Sequence, residues 1–147
     1  MSVRLATAAD LPALCQLLAQ LFAQEAEFTP DHAAQQRGLA AILADPALGA
    51  ILVAVEDDRV RAMVSLLYTV STALGARVAL LEDMVVDAGA RGAGIGSTLL
   101  QAAIAHAQAE GCRRITLLTD GDNQAAQRFY RRHGFAPSPM RPLRRAL

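Results

Sequence analysis

Seven residues in the second half of the chain form a glycine-rich turn, Arg-Gly-Ala-Gly-Ile-Gly-Ser from Arg91 to Ser97. The turn lies between an apolar segment and a helical pattern, so its backbone N–H groups stand at the positive end of a helix. Such a turn can bind a phosphate or pyrophosphate, because glycine lets the main chain approach the anion closely. A tight strand-to-helix connection also uses glycine for steric reasons alone, which is the competing interpretation.

Two other phosphate-binding motifs do not fit this turn. A P-loop needs a lysine directly after its last glycine, and the chain has no lysine, since all fourteen basic residues are arginine. A dinucleotide-binding turn has the spacing G-x-G-x-x-G after the first strand of a parallel sheet. Here the spacing is G-x-G-x-G after three predicted antiparallel strands. Nucleotide hydrolysis and nicotinamide chemistry are therefore not expected.

Two side chains could move protons. Glu82 lies in the otherwise apolar segment Leu81 to Val86, where a carboxylate without a partner is unfavourable. It is either a proton acceptor or a structural carboxylate paired with an arginine. The neighbouring Asp83 would point to the opposite face of a regular strand, and only a β-bulge would bring both carboxylates to one site. Tyr130, on the last predicted helix, is either a core residue or a proton donor.

Hydrophobic periodicity predicts the elements that must hold these residues, in the order β-α-α-β-β-β-α-β-α. Asp10 is expected to cap the first helix and Thr29-Pro30 to open the second. Gly111 should end the third helix, and Asp122 or Asn123 should begin the fourth. The predicted strands run from Val3 to Ala6, Ala50 to Glu56, Val60 to Val70, Arg77 to Val86 and Arg113 to Thr119.

Composition indicates a single domain over residues 1–147, with 53% hydrophobic and 19% charged residues. The formal net charge is zero, which argues against nucleic acid as a partner, and no segment is long and apolar enough for a membrane span. Two distant cysteines and three histidines without ligand spacing predict no metal site. We therefore expect a cytoplasmic protein. The charges are unevenly distributed. Residues 1–87 hold five arginines and eleven acidic residues, whereas residues 88–147 hold nine arginines and three acidic residues.

Two motifs in this order resemble the GNAT family of N-acetyltransferases. Arg91-x-x-Gly94-x-Gly96 resembles the family's R/Q-x-x-G-x-G/A signature. The block from Asn123 through Ala126, Phe129 and Tyr130 to Gly134-Phe135 resembles its closing motif at the expected separation. The resemblance covers nearly the whole chain. It implies an α/β GNAT fold, with a mixed central sheet of about six strands flanked by four helices.

The resemblance also implies roles for individual residues. Acetyl-CoA would be the co-substrate, with its pantetheine arm along the backbone of Met84, Val85 and Val86. Tyr130 would protonate the leaving thiolate. In the polyamine and diamine branch, which shares the run L-E-D-x-x-V, the residue matching Glu82 is the proposed base. The remaining cofactor-binding residues would be the turn, namely Arg91, Gly92, Ala93, Gly94, Ile95, Gly96 and Ser97, and the start of the last helix, Asn123 and Ala126.

The predicted function is direct transfer of an acetyl group to a primary amine. The acidic first half, including Glu25, Glu27 and Asp31, favours a small cationic amine as acceptor. Other family members acetylate antibiotics, protein N-termini or lysine side chains, so the resemblance leaves the acceptor and a longer acyl donor open. The alternatives are a catalytically silent acyl-CoA-binding sensor and an interaction protein that uses a sheet edge. Family analogy suggests a homodimer.

Overall fold

A computed structural model describes residues 1–24 and 31–147. In this part of the chain the elements follow the predicted order. The fold is α/β, as predicted, with four α-helices and a mixed sheet of five strands where the resemblance implied about six. The elements are β1 Ser2–Leu5, α1 Leu11–Ala23, α2 His32–Ala44, β2 Gly49–Glu56, β3 Arg59–Ser71, β4 Ala76–Val86, α3 Ile95–Ala109, β5 Ile115–Leu117 and α4 Gln124–Arg132.

The sheet separates two hydrophobic layers. Its strands lie in the order β1 to β5, all antiparallel except the parallel pair β4–β5. Leu81 packs with α3 on one face of the sheet, and Val85 packs with α1 and α2 on the other. Leu99 of α3 and Leu14 of α1 are fully buried on these two faces. The buried residues of β4 are thus packed between helices on both faces of the sheet.

Strand β5 is shorter than predicted. The sequence indicates a strand from Arg113 to Thr119, but the structure has one only from Ile115 to Leu117. The pairing with β4 ends at Leu81, opposite Leu117, although β4 continues to Val86. A strand needs a partner for its backbone groups. The pairing with β5 therefore covers only the first part of β4, and the last five residues of β4 extend beyond β5.

Two helix ends differ from the sequence prediction. Asp10 precedes α1 as expected, but its side chain does not cap the helix. Its carboxylate instead accepts hydrogen bonds from Arg4, at 2.7 and 3.0 Å, and from the backbone N–H of Thr7 at 2.8 Å. Helix α2 begins after Asp31, whose Oδ1 accepts from the Ala34 N–H. Thr29 and Pro30, predicted to open that helix, lie outside the described residues.

Candidate active site

A β-bulge in β4 brings two neighbouring carboxylates to the same face of the sheet. Met63 of β3 pairs with Val85, and Ser65 pairs with Glu82, so two steps along β3 match three along β4. The extra residue allows Asp83 a φ of +53°, a left-handed conformation that aspartate tolerates better than most residues. The bulge that the sequence analysis required is confirmed.

Glu82 and Asp83 line one cavity of about 320 Å³ between β4 and the first two helices. The other lining residues are mostly apolar: Leu18 and Phe22 of α1, and Ala34, Gln35, Gly38, Leu39 and Ile42 of α2. Two carboxylates among apolar walls can attract positive charge while the walls contact apolar groups. Two of the acidic residues expected to favour a cation, Glu25 and Glu27, lie outside the described residues.

The environment of Glu82 differs from the buried one that its apolar neighbours suggested. Its side chain is exposed and lines the cavity. Within residues 1–24 and 31–147, Glu82 forms no ion pair with an arginine. The structural interpretation of this carboxylate as an arginine partner therefore finds no support in the described contacts.

The glycine-rich turn has the open backbone that its sequence indicates. Gly92 and Gly94 have φ angles of +87° and +77°, and a Cβ at either position would meet no atom within 4 Å. These two glycines are needed for their backbone conformation. Gly94 stands directly before α3, so the first N–H groups of Ile95, Gly96 and Ser97 are at a helix N-terminus. Arg91 turns back toward the sheet, and its Nε donates to the carbonyl oxygen of Val86 at 3.3 Å.

Gly96 has a different role from the other two glycines. A Cβ there would lie 3.4 Å from Val86, 3.7 Å from Met84 and 3.6 Å from the ring of Phe129. The missing side chain allows α3 to pack closely against β4 and α4. Met84 and Val86 thus face α3, whereas Val85 is buried on the opposite face of the sheet.

Helix α4 carries the second motif. Asn123 caps it, as predicted, because its Oδ1 accepts from the Ala126 N–H at 3.1 Å. Phe129 and Tyr130 both pack against the α3 layer, with ring centroids 5.2 Å apart in an edge-to-face arrangement. The Tyr130 ring also meets that of Phe135 at 5.7 Å. The motif therefore folds as one aromatic cluster beside the first turn of α3.

Burial of Tyr130 has an electrostatic consequence. The surrounding side chains keep water from the phenol and raise its pKa to about 12, since burial disfavours the phenolate. Tyr130 consequently holds its proton at every pH at which an enzyme of this kind would work. A protonated phenol can donate a hydrogen bond to a leaving anion.

Sequence reasoning missed a polar cluster beside the turn. Asp87, just after β4, accepts from Gln20 of α1 at 2.9 Å and pairs with Arg61 of β3 at 3.1 Å. No short-range motif joins these residues, because Gln20 and Asp87 are 67 positions apart.

Sequence reasoning also missed Ser65, which pairs with Glu82 in the sheet register. The hydroxyl of Ser65 is fully buried and has no hydrogen-bond partner among the described residues.

The described residues contain no group of three or more His, Cys, Asp or Glu side chains placed to hold a metal ion. None of the helices in the described part is both long and apolar enough to cross a membrane. A second cavity, of about 330 Å³, lies between α3 and the start of β5. Its lining contains none of the residues that the sequence analysis assigned to catalysis or to the acetyl-CoA site, and the segment from His133 to Ala136, which follows α4, forms one side of it.

The sheet with its bulge, the glycine-rich turn and the capped aromatic helix together form one α/β domain. The sequence profile of the acetyltransferase (GNAT) family matches residues 11–135. The chain belongs to this family, and it is an N-acetyltransferase. No curated protein sequence is significantly similar to it.

Solved structures resemble the chain over almost its full length. A protein from Agrobacterium tumefaciens strain C58 is 31% identical, with a TM-score of 0.84 over 99% of this chain and 100% of its own. An integron cassette protein from the mobile metagenome of Cole Harbour Salt Marsh is 30% identical, with a TM-score of 0.86 over 99% and 90%. An aminoglycoside 6'-N-acetyltransferase from Acinetobacter haemolyticus shares the fold at 20% identity, with a TM-score of 0.82 over 100% and 99%.

Proposed function

We propose that this enzyme transfers the acetyl group of acetyl-CoA directly to the primary amine of a small cationic molecule. One observation carries the proposal: the bulge at Asp83 brings Glu82 and Asp83 to one apolar cavity. That cavity lies where β4 continues beyond β5, in the strand that leads to the glycine-rich turn.

The residues present suit acetyl-CoA, which supplies an acetyl group activated as a thioester. The open backbone from Gly92 to Ser97 would hold the pyrophosphate, with the positive end of α3 adding to the attraction. The part of β4 from Met84 to Val86 extends beyond β5, so the edge that faces away from β3 would receive the pantetheine arm. Asn123 and Ala126 at the start of α4 complete the proposed cofactor site.

Glu82 would act as the base. An alkylamine has a pKa near 10.4, so generating the neutral nucleophile at pH 7 costs about 4.6 kcal/mol. In the proposed reaction Glu82 takes a proton from the ammonium group, directly or through a water. The amine nitrogen then forms a bond to the acetyl carbonyl carbon as the carbon–sulfur bond breaks. Asp83, in the same cavity, would attract the positive charge of the acceptor.

Tyr130 would assist the departing sulfur. Its pKa of about 12 keeps the phenol protonated, so it can donate to the sulfur as negative charge develops there. A free thiol has a pKa near 8.5. The hydrogen bond would therefore stabilise the leaving group, and the proton released by the amine would restore neutrality.

The shape of the cavity favours one class of acceptor. Leu18, Phe22 and Leu39 would cover an aliphatic chain, while the two carboxylates would hold an ammonium group. This combination suits a diamine or polyamine, in agreement with the run L-E-D-x-x-V from Leu81 to Val86.

The test is a screen of the purified enzyme against a panel of amines, with thiol release from acetyl-CoA as the signal and mass spectrometry of the product. We expect thiol release with cationic amines and a mass increase of one acetyl group on the acceptor. Calorimetry with acetyl-CoA alone separates the steps. Binding without thiol release for any amine would indicate the silent acyl-CoA-binding alternative and contradict the proposal.

A further inference from the structure

Gln20 of α1 is bonded to the first residues of the segment that leads to the glycine-rich turn. Both polar atoms of its side-chain amide form hydrogen bonds. Nε2 donates to Oδ1 of Asp87 at 2.9 Å, and Oε1 accepts from the Ala88 N–H at 3.1 Å. Asp87 and Ala88 follow directly after the last residue of β4. One side chain therefore fixes two consecutive residues where the chain leaves the sheet.

Asp87 is held from a second direction by β3. Its Oδ2 lies 3.1 Å from a guanidinium nitrogen of Arg61, and its N–H donates to the Arg61 carbonyl oxygen at 2.7 Å. The Arg61 and Asp87 side chains are only 16% and 24% exposed. Hydrogen bonds to charged groups are stronger than neutral ones, and partial burial reduces their screening by water. The cluster of Gln20, Arg61 and Asp87 is thus a firm attachment for the turn.

Helix α1 also contributes to the proposed acceptor cavity. Leu18 and Phe22 line that cavity, and Gln20 lies between them in sequence. The same helix therefore lines the acceptor cavity through apolar side chains and holds the segment before the glycine-rich turn through an amide.

We propose that Gln20 is a positioning residue for acetyl-CoA: it holds the turn in its binding conformation from the acceptor side of the sheet. The inference rests on the proposed function, since it assigns the turn to acetyl-CoA. Without Gln20, Asp87 still forms its ion pair with Arg61, but the Ala88 N–H loses its hydrogen-bond acceptor. The turn then samples other conformations. The affinity for acetyl-CoA then falls, because only the molecules whose turn is in the binding conformation can bind it.

The experiment compares Gln20→Met with Gln16→Met. Gln16 is an exposed residue one turn earlier on α1, so it provides the same substitution without the two hydrogen bonds. We expect calorimetry with acetyl-CoA to show a dissociation constant about 10-fold higher for Gln20→Met and unchanged for Gln16→Met. Amide hydrogen exchange of residues 87–94 in the free protein should be faster in Gln20→Met alone.

A third variant tests the hydrogen bond to Asp87 itself. Gln20→Glu places a second carboxylate beside Asp87, and near pH 5 the introduced carboxyl can hold a proton and donate it to Asp87 in place of the amide. Its acetyl-CoA affinity, relative to the parent at each pH, should improve at least about threefold from pH 7.5 to 5.0. The acetyl-CoA affinity of Gln20→Met, relative to the parent, should not change over this pH range.

Equal affinity and equal exchange in Gln20→Met and Gln16→Met would overturn the inference. If the parent itself does not bind acetyl-CoA, the proposed function fails. Exchange of residues 87–94 then decides the inference alone, because faster exchange in Gln20→Met supports the positioning role and unchanged exchange contradicts it.

Discussion

The ring nitrogen Nε2 of His133 lies 3.1 Å from the hydroxyl oxygen of Ser97. This contact joins the end of α4 to the first turn of α3. The His133 ring also packs against Phe129, with centroids 5.1 Å apart. It therefore fixes the helix that carries Tyr130 relative to the turn proposed to hold the pyrophosphate. Tyr130 and the glycine-rich turn, 33 residues or more apart in sequence, are thus linked through one pair of side chains.

The first prediction concerns the phenol of Tyr130. Replacing Tyr130 by Phe should lower turnover by about 10² to 10⁴-fold, the range for losing a general acid, with little change in acetyl-CoA affinity. Tyr68→Phe is the matched control, because it removes the chain's other phenol, which stacks on Arg77 away from the proposed site. Steady-state kinetics and calorimetry measure both effects. Turnover within about twofold of the parent in Tyr130→Phe would remove the phenol from the mechanism.

Burial of this phenol also predicts an alkaline effect on stability. Its pKa is about 12 in the folded chain and near 10 when unfolded. The folded state thus binds the proton more tightly, so this contribution to stability is complete below pH 10 and is lost as the pH rises toward 12. Chemical denaturation at pH 9 and 11.5 should show a smaller loss for Tyr130→Phe than for the parent. Equal losses would show that the phenol is not desolvated.

A comparison of two glycines tests the cofactor turn. Gly94 and Gly75 have φ angles of +77° and +62°, and neither has an atom near its missing Cβ. Alanine at either position should reduce stability by about 1 kcal/mol through the same backbone strain. Only Gly94→Ala should weaken acetyl-CoA binding, because Gly75 lies in the turn between β3 and β4. Calorimetry that finds both variants equal to the parent would contradict the assignment.

Local patterns were sufficient for much of this fold. Alternation and turn residues predicted the order of the elements, and the capping preference of asparagine predicted Asn123 at the start of α4. The length of β5 could not be predicted, because it depends on where β4 stops pairing rather than on the apolar residues of β5 itself. Asp10 was misjudged for a similar reason, since Arg4 competes for its carboxylate.

The candidate site, too, could be predicted only where local sequence patterns determine it. The glycine positions followed from spacing, whereas the shared cavity of Glu82 and Asp83 required the bulge, which the resemblance suggested and alternation alone opposes. The Gln20 and Asp87 contact joins distant segments and has no local signal.

The two carboxylates should have separable effects. In Glu82→Gln, kcat/KM for a cationic amine should rise about tenfold per pH unit between pH 7 and 9, because only neutral amine reacts. The parent, with its base, should show a flatter profile. Asp83→Asn keeps a side chain that tolerates the φ of +53° and should mainly raise KM for the amine. Parallel pH profiles for the parent and Glu82→Gln would make Glu82 a structural carboxylate.

The most direct test of the central claim is kcat/KM for two acceptors that share the reactive amine and differ at the far end. 1,4-Diaminobutane carries a second ammonium group, and 4-aminobutanoate carries a carboxylate at the same distance. Because Glu82 and Asp83 face one cavity, acetylation of the diamine by acetyl-CoA should be favoured by at least about tenfold, which corresponds to about 1.4 kcal/mol. Equal values, or preference for 4-aminobutanoate, would contradict transfer to a cationic amine at this site.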